Sequence, residues 1–202
     1  MARRAIPPTC PDDRASLCVA DRILSAASEL FYREGIQSVG IQRLIDEAGV
    51  AKASLYAHYA SKDDVVAAYL ARKSAESRAQ VAAAFAGLST PEARLRALFD
   101  LGVAWTGGDD YRGCPFQNAS SELAAEGHPA KAVIADHRAW LRSLFDAIAR
   151  DSGADDVDRL SGALQVIFDG AGALVLAERR PDALGDGRWA AEQLLARGRT
   201  TS

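Results

Sequence analysis

Between Lys52 and Lys62, in "KASLYAHYASK", the chain gathers two lysines, two phenolic hydroxyls, an imidazole and two serine hydroxyls. Side chains of these types donate hydrogen bonds to anionic oxygens, phosphates above all, and a serine hydroxyl also reaches a base edge. Ala53 and Ala57 alternate with them. They are small enough to let a broad surface come close, and an alanine methyl can touch a thymine methyl. Leu55 and Tyr59 lie one helical turn apart and serve a different end, holding the segment against a core. The chemistry this stretch offers is non-covalent recognition of a polyanion.

The other reactive side chains form no catalytic constellation. Cys114 with His128 or His137 is the best nucleophile and base pairing available, but no third group orients it and no oxyanion-type loop accompanies it. Cys10, Cys18 and Cys114 make no C-x-x-C pair and no ligand spacing with the three histidines, which argues against a zinc site and against a disulfide framework. Glycines are scattered through helices and turns and form no phosphate-cradling loop. No catalytic residue, metal or cofactor is expected. The protein is read as not an enzyme.

Charge narrows the partner. The net charge is −3 over 202 residues, so the whole chain is no nonspecific binder of polyanions. Residues 1–60 are neutral, and Lys62 just beyond tilts that end slightly positive, so any contact with DNA must be focused there. No 18-residue apolar span or signal peptide is read, which points to a cytoplasmic protein without a membrane partner.

The elements that must position these residues are helical throughout, with no alternating strand pattern. Ile23, Leu24, Ala27, Leu30 and Phe31 mark a first helix ending at Gly35; Ile41, Leu44, Ile45 and Ala48 mark a short second one ending at Gly49. "KASLYAHY" forms the third. Ser61 and Asp64 make a variant capping box for a long fourth helix reaching towards Phe85, and Thr90-Pro91-Glu92 starts a fifth. A short helix from Pro115 to Ala125 ends at Gly127-His128-Pro129. The apolar stripes Val133–Ile148, Leu160–Val175 and a last segment from Arg188 to Arg197 complete about nine helices. Residues 1–18, with Pro7, Pro8 and Pro11, read as a disordered arm, whose Arg3, Arg4 and Arg14 are either a floppy tail or a reach into a minor groove.

Two short helices joined by Ala48-Gly49-Val50 form the pattern of a helix-turn-helix, whose second helix lies in the DNA major groove. From Arg22 to Asp64, "RILSAASELFYREGIQSVGIQRLIDEAGVAKASLYAHYASKDD" resembles, nearly element by element, the DNA-binding domain of the tetracycline-repressor (TetR) family. The likeness covers the first third of the chain closely and the rest in architecture alone. It implies a DNA-binding domain over residues 19–64 and a ligand-binding and dimerisation domain over 65–202. It also implies DNA contacts by Gln42 and Arg43 on the second helix, by Lys52, Ala53, Ser54, Tyr56, Ala57 and His58 on the third, and by Lys62 on the fourth. Ile41 departs from the family pattern, where a threonine hydroxyl is common, so only a backbone contact is expected there. Ala53 and Ala57 offer bases no hydrogen bond, which leaves specificity to Ser54, Gln42, van der Waals contact and DNA shape.

Beyond residue 65 the polar and aromatic side chains Trp105, Phe116, Gln117, Asn118, His137, Trp140 and Phe168 are the candidates for lining a mostly apolar ligand pocket; core packing alone would equally account for the rings. "RGCPFQN" matches a segment in one subgroup of the family, without naming a ligand. The helix around Gly162, Ala163, Gly170, Ala171 and Gly172 asks for a close neighbour, either inside the monomer or, as preferred, a second copy packed on the last two helices. The reading is an all-α, homodimeric regulator of transcription. It acts as a repressor on a palindromic double-stranded DNA operator and is released by a small-molecule effector. An activator, or a helical small-molecule-binding protein of the same fold, is the alternative.

Overall fold

The computed structural model describes residues 18–108 and 110–198, so the arm and its arginines lie outside the described residues. Nine helices and no strand occur among those described: α1 Val19–Glu34, α2 Ile41–Ala48, α3 Lys52–His58, α4 Lys62–Phe85, α5 Pro91–Thr106, α6 Pro115–Glu122, α7 Pro129–Asp151, α8 Val157–Glu178 and α9 Ala183–Arg197. The all-α expectation is met.

Local signals account for most of the boundaries. Ser61 Oγ accepts the Asp64 backbone N–H at 3.1 Å while its hydroxyl donates to Asp64 Oδ2 at 2.8 Å, closing the capping box that opens α4. Thr90 accepts from the Ala93 N–H and Pro91 begins α5, where a missing N–H costs nothing. α8 ends on Arg179, which takes the left-handed conformation with φ +52°.

Two starts differ from the sequence reading. α7 begins at Pro129, upstream of Val133, because His128 acts as its cap: the ring Nδ1 accepts the Ala130 N–H at 3.1 Å. α9 begins at Ala183, upstream of Arg188, running through Gly185 and Gly187. Gly187 is demanded by packing, since a Cβ there would stand 2.9 Å from the Ala171 methyl. Cys18, just before α1, is disulfide-bonded, against the expectation of no disulfide framework.

The chain divides into two compact units, Met1–Lys73 with Pro115–Ile134, and Ser74–Cys114 with Ala135–Ser202. In the first, α1 packs on α2 and α3 over Ile23, Ala27, Leu30, Leu44 and Leu55, all within 3% of full burial. In the second, α8 and α9 pack on each other and on α5 around Leu95, Phe99, Phe145, Leu164, Ala171, Leu184 and Ala191. α8 is also long and apolar enough to cross a membrane by length and composition, with a mean hydropathy of 1.6 over 18 residues. That corrects the reading of no such span. Only 22% of that window is fully buried in the chain, while Ile167, Phe168 and Val175 are partly buried against the core of the second unit.

Candidate nucleic-acid interface

α2 ends in a motif that fixes the angle to α3. Gly49 takes the left-handed conformation at φ +59°, ψ 40°, its N–H bonds to Asp46 O, and the Val50 N–H bonds to Ile45 O at 3.2 Å. This pair of bonds satisfies the last carbonyls of α2 and turns the chain sharply into α3, and glycine takes the required φ without strain. From α1, the Arg22 guanidinium donates to Gly49 O at 2.6 Å, tying the turn to the helix behind it.

α3 is thereby presented edge-on. Leu55 is fully buried and Tyr59 5% exposed, while Lys52, Ala53, Tyr56, Ala57 and His58 are exposed and Ser54 is half-buried. Tyr56 keeps 44% of its surface open. The phenol of Tyr59 is pushed above its ordinary pKa by burial and then by the nearby Asp21 carboxylate, so it stays neutral as an inward anchor. One face of a seven-residue helix therefore collects a lysine, a phenol and an imidazole in solvent, with two methyls between them.

On α2, the exposed Gln42 and Arg43 face the same solvent but already have partners. Gln42 Nε2 donates to Asp46 Oδ1 at 2.8 Å, and Arg43 bridges Glu34 and Glu47, each at 3.3 Å. Pairs this exposed contribute little, so exchanging them for phosphates costs little. Lys62, the first residue of α4, is half-buried. Burial draws its pKa down, against the opposing pull of Asp63 and Glu122. All nine expected DNA-contact residues thus lie in the first unit, on α2, α3 and the start of α4.

The seven pocket candidates divide between the two compact units. Phe116 (2% exposed), Gln117 and Asn118 sit on α6 in the first unit, where Asn118 lines a shallow cleft with Phe31, Tyr32, Tyr69 and Glu122. Trp105, at the end of α5 in the second unit, is exposed and donates its indole N–H to Gln80 Oε1. Phe168 packs edge-on to Phe99 at 5.3 Å between ring centroids and lies against Phe145 at 5.9 Å. His137 and Trp140 do make a pair, with ring centroids 5.1 Å apart. His137 Nδ1 meets Ser74 Oγ at 3.1 Å, and Arg78 lies over the Trp140 ring at 4.9 Å. Burial first, then Arg78 and Arg138, push the His137 pKa down to about 4, so the imidazole is neutral near pH 7. Arg138 in turn pairs with both carboxylate oxygens of Asp169. Sequence reasoning picked out His137 and Trp140 but missed Ser74, Arg78, Arg138 and Asp169 around them; only the i, i+4 spacing of Ser74 and Arg78 on α4 was a signal. Among the described residues, no group of three or more His, Cys, Asp and Glu side chains is placed to hold a metal ion.

Comparison with known proteins agrees with this geometry. Residues 23–69 match the family of bacterial regulatory proteins of the tetR family. A TetR-family transcriptional regulator from Streptomyces coelicolor, solved by crystallography, is 31% identical and superposes with a TM-score of 0.84 over 90% of this chain and 96% of its own. The transcriptional activator FasR of Mycolicibacterium smegmatis is 32% identical over 136 residues, which are 66% of this chain, and the chain spans 60% of FasR. The regulator LmrA of Bacillus subtilis is 24% identical over 67% of this chain and 73% of its own. With a family match over residues 23–69 and a solved relative above 30% identity along nearly its whole length, this chain belongs to the TetR family of helix-turn-helix transcriptional regulators.

Proposed function

We propose that the protein is a cytoplasmic, homodimeric repressor that binds a palindromic operator and releases it when a small molecule binds the second unit. The single observation behind this reading is the division of α3, with Leu55 and Tyr59 buried and Lys52, Ala53, Tyr56, Ala57 and His58 open. Lys52, Tyr56, His58 and Lys62 donate to phosphates, Ala53 and Ala57 allow close approach, and Ser54 and Gln42 reach base edges. Two such helices must lie about one DNA turn, ~34 Å, apart, which calls for a second copy.

The surface for that copy is the open face of α8 and α9. Val166 is 71% exposed, and Gly170, Ala173, Leu174 and Ala177 continue its stripe along α8; Gly185 and Trp189, the latter 66% exposed, extend it on α9. A self-complementary apolar patch of this kind fits an isologous dimer. In the second unit, His137, Trp140 and Phe168 offer an effector aromatic surface with one neutral hydrogen-bonding group. The family's variable use of that unit favours no particular ligand. An activator is the second reading, because FasR is named an activator.

Binding of purified dimer to the gene's own upstream DNA tests the proposal. With four to six phosphates contacted per subunit, log affinity should fall against log salt with a slope of roughly −7 to −11. A flat response would refute the phosphate assignment. Effector and operator should each weaken the other's binding by the same factor, roughly 5- to 150-fold. Transcription in vitro from that promoter separates the two readings, since a repressor lowers it and an activator raises it.

A further inference from the structure

A contact between residues 85 positions apart fixes the turn that leads into α2. The Gln37 backbone N–H donates to Glu122 Oε2 at 2.9 Å, and its side-chain Nε2 donates to Glu122 O at 3.3 Å. Gly35, at φ +90°, is part of the same arrangement, because a Cβ there would stand 3.3 Å from Glu122 Oε2. On either side of the exposed Gln37, Ile36 (3%) and Val39 (0%) are buried, so the turn is pinned to the core at two points and by Glu122 at its outer edge. Gly40 then caps α2 without a side-chain hydrogen bond, so α2 has no cap of its own to set where it begins.

We propose that Glu122, at the end of α6, is a positioning residue for DNA binding: its carboxylate clamps the 35–40 turn and so sets where α2 starts and how Gln42 and Arg43 face the DNA. The proposal rests on the regulatory reading above and adds to it a residue outside the helix-turn-helix. Glu122 touches no DNA in this role. It acts through Gln37, and its charge also lies near the Lys62 ammonium. Removing it therefore has two opposite effects on DNA affinity: the turn loosens, and a negative charge near the interface disappears. Two variants separate them. Glu122→Gln and Glu122→Ala both remove the charge, but only the first keeps an oxygen to accept the Gln37 N–H.

Amide hydrogen exchange at residues 35–40 and binding to the gene's upstream DNA should be measured for both variants and for Glu122→Asp, which keeps the charge but draws it back by one methylene. In Glu122→Ala, Gln37 exchange should quicken by about ten-fold, the equivalent of one net hydrogen bond, while Glu122→Gln stays close to wild type. Glu122→Ala should bind DNA at least five-fold more weakly than Glu122→Gln, and Glu122→Asp should fall with the alanine variant in exchange. Equal exchange in all variants would overturn the clamp. Altered exchange with equal DNA affinity in Glu122→Ala and Glu122→Gln would overturn its positioning role. If wild type binds no upstream fragment, the regulatory reading fails and the positioning role with it, whereas exchange still reports whether the clamp exists.

Discussion

Gly49→Ala is the sharpest perturbation of the turn on which α3 depends. At φ +59° a side chain is strained, and the left-handed conformation costs an L-residue about 1–2 kcal/mol. The new Cβ would also stand 2.8 Å from Arg22 Nη2. That atom is the far end of a flexible side chain, so the guanidinium swings away and the backbone stays, at the loss of its 2.6 Å bond to Gly49 O. An exposed bond of this kind contributes about 1 kcal/mol. Alanine recovers about 0.5 kcal/mol by stiffening the unfolded chain. The net expectation is a loss of about 2 kcal/mol, a large share of the roughly 5–15 kcal/mol that holds a typical domain folded.

The control is Gly40→Ala, at φ −80° with nothing within 4 Å of the added methyl, which should stay within about 0.5 kcal/mol of wild type. Unfolding in urea should be followed by far-UV circular dichroism. Trp105, Trp140 and Trp189 all belong to the second compact unit, so tryptophan emission would not report on the helix-turn-helix. A cycle with Arg22→Ala separates the two contributions. In that background Gly49→Ala should cost only the strain, about 1 kcal/mol, so the double variant is less destabilised than the sum by about 1 kcal/mol. If Gly49→Ala costs no more than Gly40→Ala, the left-handed turn is not forcing the geometry. Full additivity would show that the Arg22 bond contributes nothing.

Tyr56→Phe should weaken DNA binding by about five- to ten-fold, the worth of one hydroxyl bond, with the urea midpoint unchanged because the ring is 44% exposed; equal affinity would remove Tyr56 from the interface. His137 is depressed to about 4 in the folded chain against 6.5 when unfolded, so on acidification the unfolded state takes up the proton first. Its contribution is therefore intact above pH 6.5 and lost as pH falls towards 4, by roughly 3 kcal/mol. Asp136 and Asp169 soften that loss, and Arg78 and Arg138 oppose protonation. His137→Phe should flatten the stability profile between those pH values, and an unchanged slope would refute the assignment. Val166→Asp should halve the mass measured by light scattering while leaving helix content intact, and an unchanged mass would place the dimer face elsewhere.

What the sequence made legible is what neighbouring residues decide. Gly49 at φ +59°, the Ser61–Asp64 box and the Thr90–Pro91 start are each set within four or five residues, so the helix-turn-helix and the fourth and fifth helices could be read directly. The start of α7 is also local, but Gly127-His128-Pro129 reads as an end until the His128 ring is seen accepting the Ala130 N–H. Gln37 and Glu122 have no such signal. With 85 residues between them, a glutamate at the end of one helix and a glutamine in a turn look like two solvated side chains. The same limit applies to the pocket candidates, because ring type cannot tell Phe116, buried in the first unit, from Phe168, packed against Phe99 in the second.

α8 shows why small residues were ambiguous in the sequence. Its run of glycines and alanines serves two faces that a one-dimensional pattern overlays. Ala171 meets Gly187 inside the chain so closely that no methyl fits on α9, which is the close packing expected within one monomer. Gly170, one residue earlier, has nothing within 4 Å of where its Cβ would be, and it lies between Val166 and Leu174 on the open stripe. Adjacent positions on a helix point about 100° apart, so one can be fixed by α9 and the next left free for another molecule. Substituting each in turn distinguishes the faces. Gly187→Ala should destabilise the monomer, through a contact that backbone and methyl groups cannot relieve. Gly170→Leu should leave the fold intact and change only the self-association, and a loss of helix content from Gly170→Leu would show that the stripe is already covered within one chain.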